Sequence, residues 1–165
     1  FHGGLAGVAI SIIIFSRKNN LDYMIYFDTV STVAPIGLFF GRISNFINGE
    51  LYGTPTVKPW GVVFPKIDLI ARHPSQIYEA LLEGVVLFII LNLLVFLRRS
   101  GAGFISCIFL ILYGFFRIIC ESFREPDNHI GYILGNYTIG SILSIIMILF
   151  GLVLLLRVKH VNKNE

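Results

Sequence analysis

The stretch Gly84-Val85-Val86-Leu87-Phe88-Ile89-Ile90-Leu91-Asn92-Leu93-Leu94-Val95-Phe96-Leu97 has no charged residue, and Asn92 is its one polar side chain. Extended back to Pro74, it exceeds the ~20 apolar residues that a helix rising ~1.5 Å per residue needs to cross ~30 Å of hydrocarbon. Pro74 suits a first helical turn, where its missing N–H costs nothing, and Arg98-Arg99-Ser100-Gly101 ends the run. The composition agrees. Of 165 residues, 55% are apolar and 14% charged, and a mean hydropathy of +0.78 lies outside the ordinary soluble range. The chain reads as an all-α, polytopic membrane helix bundle.

Working outward from that segment gives about five spans. Leu5 to Phe15 forms the first and closes at Arg17-Lys18-Asn19-Asn20. The second runs from Tyr23 to Ile47, interrupted by Asp28 and Pro35. The fourth runs from Phe104 to Arg124 and is stopped by Pro126, and the fifth runs from Thr138 to Leu156. Between the second and third lies a loop, 48–73, with Pro55, Pro59, Pro65 and several glycines, which argue against helix and place it outside the hydrocarbon. The expectation is one transmembrane domain over 1–165, with 48–73 as its extracytoplasmic loop. Opening on Phe1-His2-Gly3-Gly4 without an initiator Met, the chain is expected to begin inside a longer protein.

A formal charge of +3 is small, and the cations gather at helix ends instead of forming the stripe that nucleic acid requires, so nucleic acid is excluded as a partner. Five crossings put Arg17, Lys18, Arg98, Arg99, Arg157, Lys159 and Lys163 on one side, which the positive-inside rule makes cytoplasmic. The opposite ends hold Arg42, Lys58, Lys66, Arg72, Arg117 and Arg124, interspersed with Glu50, Glu79, Glu83, Glu121 and Asp127. That mixture reads as a site and not as topogenic flanks. Cys107 and Cys120 stand ~20 Å apart on one helix, too far for a disulfide, and read as small hydrophobes. No HExxH or CxxC spacing points to a metal, and no cofactor is expected.

An arginine inside an apolar segment costs at least ~2.5 kcal/mol on insertion scales, so such residues face the bundle interior. Arg42, Asn45 and Gly49 recur on one face of the second segment, with Ile43, Phe46 and Ile47 on another. Tyr113, Arg117, Glu121 and Arg124 make a second stripe, in which Glu121 is placed to orient two guanidinium groups while leaving net positive charge for an anion. The competing reading of both stripes is an ion-pair network that only holds helices together. Glu79 and Glu83 lie one turn apart early in the third segment, where a carboxylate also suits the helix dipole. His2 is either a general base near neutral pH or a structural histidine. The residues imply a cavity open to the outer face and lined by arginines, carboxylates and amides, for which a lipid-headgroup phosphate is the fitting anion.

His2-Gly3-Gly4-Leu5, Gly41 to Gly53, Arg72-His73-Pro74-Ser75-Gln76-Ile77-Tyr78-Glu79 and Tyr113 to Asp127 resemble, in order, the signature blocks of the prolipoprotein diacylglyceryl transferase family. Ser44, Tyr52 and Ser141 depart from the family's usual residues, and the loop from Gly53 to Arg72 is short. The resemblance implies about seven spans, with two upstream of this chain. It also implies transfer of diacylglyceryl from phosphatidylglycerol to the lipobox cysteine of a prolipoprotein signal peptide, in the bacterial inner membrane, with the active site facing outward. Carried over by residue, His2, Arg117 and Glu121 are the expected catalytic group. Arg42, Asn45, Glu50, Gly53 and Arg124 are the expected phosphatidylglycerol-binding group. The charged stripes taken alone fit equally a transporter or channel for an anionic solute, or a non-catalytic membrane subunit.

Overall fold

The computed structural model describes residues 2–97, 101–126 and 138–158. The expected turn 127–136, Arg98 and the tail cations Lys159 and Lys163 lie outside them. Five helices account for most of the described residues. They are α1 (His2–Lys18), α2 (Tyr23–Asn48), α3 (Ser75–Leu97), α4 (Phe104–Glu121) and α5 (Ile139–Leu155). Among the described residues α2, α3 and α4 are long and apolar enough to cross a membrane, and α5 is a shorter apolar helix.

The distribution of side chains is inverted relative to a soluble domain. Gln76, Glu79 and Glu83 have no exposed surface, whereas Phe40 is 65% and Phe96 88% exposed. Hydrocarbon around the bundle is the solvent that makes this arrangement stable, because there the apolar side chains belong outside and the charges inside. The apolar core is small, formed by Leu87 and Leu91 of α3 against Ile105 and Phe116 of α4. α4 and α5 approach closely at Gly114, where a Cβ would come within 2.9 Å of the Ser144 carbonyl. Cys107 and Cys120 are free and buried.

Asp28, which the sequence shows only as a polar interruption of α2, closes the start of α4. Its Oδ2 accepts from Gly103 N at 2.8 Å, and its Oδ1 accepts from Ser106 N at 2.8 Å and Ser106 Oγ at 2.6 Å. The first N–H groups of a helix have no partner within it. Gly103, just before α4, has φ of 92° and no side chain to supply one, so a carboxylate from the neighbouring span does so. Pro35 is buried within α2 without ending it.

The loop between α2 and α3 is not featureless. β1 (Val62–Val63) pairs antiparallel with β2 (Ala71–Arg72), Val62 opposite Arg72. On the other side of β2 the chain bridges at Pro55 to Arg72, and Gly53 bridges to Arg124. Thr54 N donates to the Phe123 carbonyl (2.9 Å) and Glu125 N to the Tyr52 carbonyl (3.1 Å). This pairing is why α4 stops at Glu121 and not at Arg124 as the sequence suggests, since the chain leaves the helix through a turn at Ser122 and Phe123 and meets the loop from Arg124. Asp68 holds Arg72, and the paired guanidinium draws the Asp68 carboxyl below its usual range.

Replacing Asp28 with Ala leaves the Gly103 and Ser106 N–H groups without their acceptor, and should lower the stability of the full-length protein by about 1–2 kcal/mol. Asp28→Asn, which keeps one carbonyl oxygen, should lose less. Thermal unfolding in detergent measures both, and a wild-type midpoint for Asp28→Ala would remove this cap from the account.

Candidate functional site

The polar centre of the bundle is built on α3. From Ala80 to Val86 this helix widens to π-helical hydrogen bonding, a form that recurs at functional sites. Glu79 and Glu83 sit at and within this stretch, both fully buried. Arg42 of α2 reaches both, with Nε 3.0 Å from Glu79 Oε2 and Nη2 3.2 Å from Glu83 Oε2. Arg117 of α4 pairs tightly with Glu79, lies 3.6 Å from Glu83 Oε1, and holds Glu121 Oε2 at 2.9 Å. Arg124 Nη1 approaches Glu79 Oε1 at 3.8 Å.

Glu121 is fixed from its other side. Thr138, the N-cap of α5, donates its hydroxyl to Glu121 Oε1 at 2.8 Å and accepts from Ser141 N at 3.2 Å. A Cβ on Gly140 would lie 2.8 Å from the same Oε1, so only glycine lets α5 start this close to the carboxylate.

Arg42, Arg117 and Arg124 thus face Glu79, Glu83 and Glu121. The sequence suggests an excess of positive charge around Glu121 and an open cavity. The structure brings in two more carboxylates and closes the cluster on itself, balanced when all six groups are ionised. The helix-dipole reading of Glu79 also gives way, since it makes no side-chain cap and sits where three arginines meet. The cluster still has a direction. Side-chain exposure is 15% for Arg42, 11% for Arg117 and 10% for Arg124, against 8% for Glu121 and none for Glu79 and Glu83. The guanidinium groups therefore lie above Glu79 and Glu83 in accessibility, with Glu121 beside them.

The other sequence candidates are distributed around this cluster. Asn45, half-buried one turn beyond Arg42, accepts Glu50 N at its carbonyl (2.9 Å). Glu50 is exposed, and its carbonyl accepts from Gln76 Nε2 at 2.6 Å. Gly53 is buried between two chain segments, where a Cβ would overlap the backbone carbonyls of His73 and Phe123. Its glycine identity is thus explained by backbone contact. His2 opens α1, and its side chain lies outside the described residues.

The family model for prolipoprotein diacylglyceryl transferase matches residues 1–157. The chain belongs to this family. It is 53% identical over 164 residues to the phosphatidylglycerol–prolipoprotein diacylglyceryl transferase of Rhizobium leguminosarum bv. trifolii (strain WSM2304), covering 97% of this chain and 58% of the relative. The enzyme of the same name from Rickettsia bellii (strain OSU 85-389) is 50% identical over 161 residues, covering 96% of this chain and 61% of the relative. That of Rhizobium meliloti (strain 1021) is 50% identical over 162 residues, 96% of this chain and 58% of the relative. The chain therefore spans about three-fifths of the length of these prolipoprotein diacylglyceryl transferases.

The expected site residues omitted the two carboxylates at the centre. Glu79 and Glu83, one turn apart in an otherwise apolar segment, were the available signal.

Removing one partner of a buried ion pair leaves the others uncompensated, at about 3–5 kcal/mol. Glu79→Gln in the full-length protein should therefore lose far more thermal stability than Glu50→Gln, whose carboxylate is on an exposed residue. Equal melting temperatures for the two variants would show that the cluster does not hold the helices.

Proposed function

We propose that this chain forms most of the transmembrane catalytic domain of an enzyme that moves the diacylglyceryl group of phosphatidylglycerol onto the lipobox cysteine of a prolipoprotein. The observation that carries this reading is the outward position of Arg42, Arg117 and Arg124 over Glu79 and Glu83. It is supported by the relatives, whose names give both substrates.

In the reaction the cysteine sulfur attacks the glycerol carbon that bears the phosphate. A C–S bond forms, the C–O bond breaks, and glycerol phosphate leaves with the electron pair while the thiol proton passes to a base. The chemical demand is for a thiolate and for stabilisation of charge growing on the departing phosphate. Guanidinium groups meet the second demand, since their planar forks match two phosphate oxygens. Arg42 and Arg117 come from different helices, so they grip one phosphate from two directions. Asn45, Glu50, Gly53 and Arg124 shape the remainder of the headgroup site.

Glu121 lies between Arg117, 2.9 Å from its Oε2, and the Thr138 hydroxyl, which donates to its Oε1, a placement suited to orienting Arg117. We assign the proton to His2. α1 returns along α2, with the Phe15 ring 5.8 Å from that of Tyr26. Equal rises along both helices from that contact bring the start of α1 level with the Phe39–Arg42 turn.

The positive-inside rule places Arg17, Lys18 and Arg157 in the cytoplasm and the loop 48–73, with the arginine cluster near it, on the outer side of a bacterial inner membrane.

Arg42→Lys and Arg117→Lys keep the charge but lose the fork. In the full-length enzyme each should lower transfer of labelled phosphatidylglycerol to a lipobox peptide by on the order of 10²-fold, with a small change in melting temperature. Normal specific activity in both would sink the phosphate reading, and transfer too weak to detect in wild type would sink the reaction.

His2→Gln should likewise cost about 10²-fold in rate. Turnover within a few-fold of wild type would move the base elsewhere.

A further inference from the structure

Arg72 has no part in the reaction described above, yet it is the most heavily bonded cation of the extramembrane loop. It is 8% exposed. Its Nη2 donates to Asp68 Oδ2 at 2.7 Å, its Nε donates to the same carboxylate at 3.1 Å, and its Nη1 is shared between the Gly53 carbonyl (3.1 Å) and Glu125 Oε2 (3.3 Å). The guanidinium carbon lies 4.9 Å from the centre of the Tyr52 ring. One side chain thus joins three places along the chain, namely Asp68, residues 52–53 at the start of the loop and Glu125 just past α4.

What these stretches enclose is Arg124. Gly53 is its bridge partner across the ladder, Glu125 follows it in sequence, and the Thr54 N to Phe123 O and Glu125 N to Tyr52 O bonds flank it on both sides. Arg124 lies beyond the end of α4, tied back to it by one long turn bond from its N–H to the Glu121 carbonyl at 3.3 Å. The Gly53 bridge and the bonds that flank it tie the same residue to the loop, while its side chain extends to Glu79 in the centre of the cluster.

We propose that Arg72 is a positioning residue for Arg124, fixing the Gly53–Glu125 ladder so that the Arg124 guanidinium is held against the carboxylate cluster. This rests on the reading of Arg124 as part of the headgroup-phosphate site. A guanidinium is required because three acceptors in different directions are bridged at once, which the compact ammonium of lysine cannot do. The hydrogen bonds to Asp68 stabilise the charged form of Arg72, raising its pKa above its usual value.

The test uses the full-length enzyme in detergent with phosphatidylglycerol and a lipobox peptide. Arg72→Gln should lower kcat/KM on the order of 10-fold, less than the ~10²-fold that a full ångström of misplacement can cost, and Arg72→Lys should restore little of it. If Arg72 acts through Arg124, the double variant Arg72→Gln/Arg124→Lys should be no slower than Arg124→Lys alone. Multiplying losses, or a wild-type kcat/KM for Arg72→Gln, overturns the proposal. Amide exchange provides a readout independent of activity. Arg72→Gln should accelerate exchange at Gly53, Thr54 and Glu125 and leave Ile118, inside α4, unchanged. If wild type transfers no lipid, the reaction assignment fails and the exchange result judges Arg72 alone, with unchanged ladder amides overturning its role.

Discussion

The carboxylate of Glu79 has no exposed surface and lies in a bundle whose outer faces are apolar. Taking such a charge out of water costs several kcal/mol even after relaxation, and only close pairing offsets it. The pairing comes from Arg42 on α2 and from Arg117 and Arg124 on and just past α4. Three separate parts of the chain are thereby committed to one point on α3. The remaining contacts are arranged so that this point can exist. The π-helical stretch carries Glu83 beside Glu79, Thr138 and Gly140 let α5 approach Glu121, and the loop ladder brings Arg124 back after its helix has ended.

Outside the cluster, the bundle is held by modest forces. Among the described residues the buried apolar cluster is a few residues of α3 and α4, which is expected where lipid competes with protein for the same side chains. Close glycine contact between α4 and α5 and the Asp28 cap on α4 do more to specify the arrangement. Both are short-range and directional, so they fix how helices are set against each other. A uniform apolar surface would not.

In the proposed chemistry an incoming phosphate would enter a set of guanidinium groups already paired with carboxylate, so binding would be an exchange of partners and not the filling of an empty charge. Such exchange is gentle in the ground state, because lost and gained pairs nearly cancel. It becomes favourable as negative charge grows on the leaving group, and interactions that strengthen toward the transition state are those that accelerate a reaction. The same carboxylates keep three arginines from repelling one another.

The helices could be read from the sequence because hydrocarbon demands length and apolarity, and both are local properties. The segments expected at Tyr23 to Ile47 and Pro74 to Leu97 match α2 and α3 within a residue or so. Arg42, Arg117, Glu121 and Arg124 were also legible, since charge in an apolar run is conspicuous wherever it occurs. What the sequence did not reveal is which charges would meet. Glu79 looked like an early-turn carboxylate, Asp28 like an interruption and Arg72 like one cation of a mixed charged group, and the backbone packing around Gly53 had no local signal. Each owes its place to a partner far along the chain: Arg117 for Glu79, Ser106 for Asp28, Phe123 for Gly53 and Glu125 for Arg72. Spacing along one helix sets the face on which a group lies, but ion pairs and backbone ladders between helices form only when the bundle closes, and tertiary structure alone decided them.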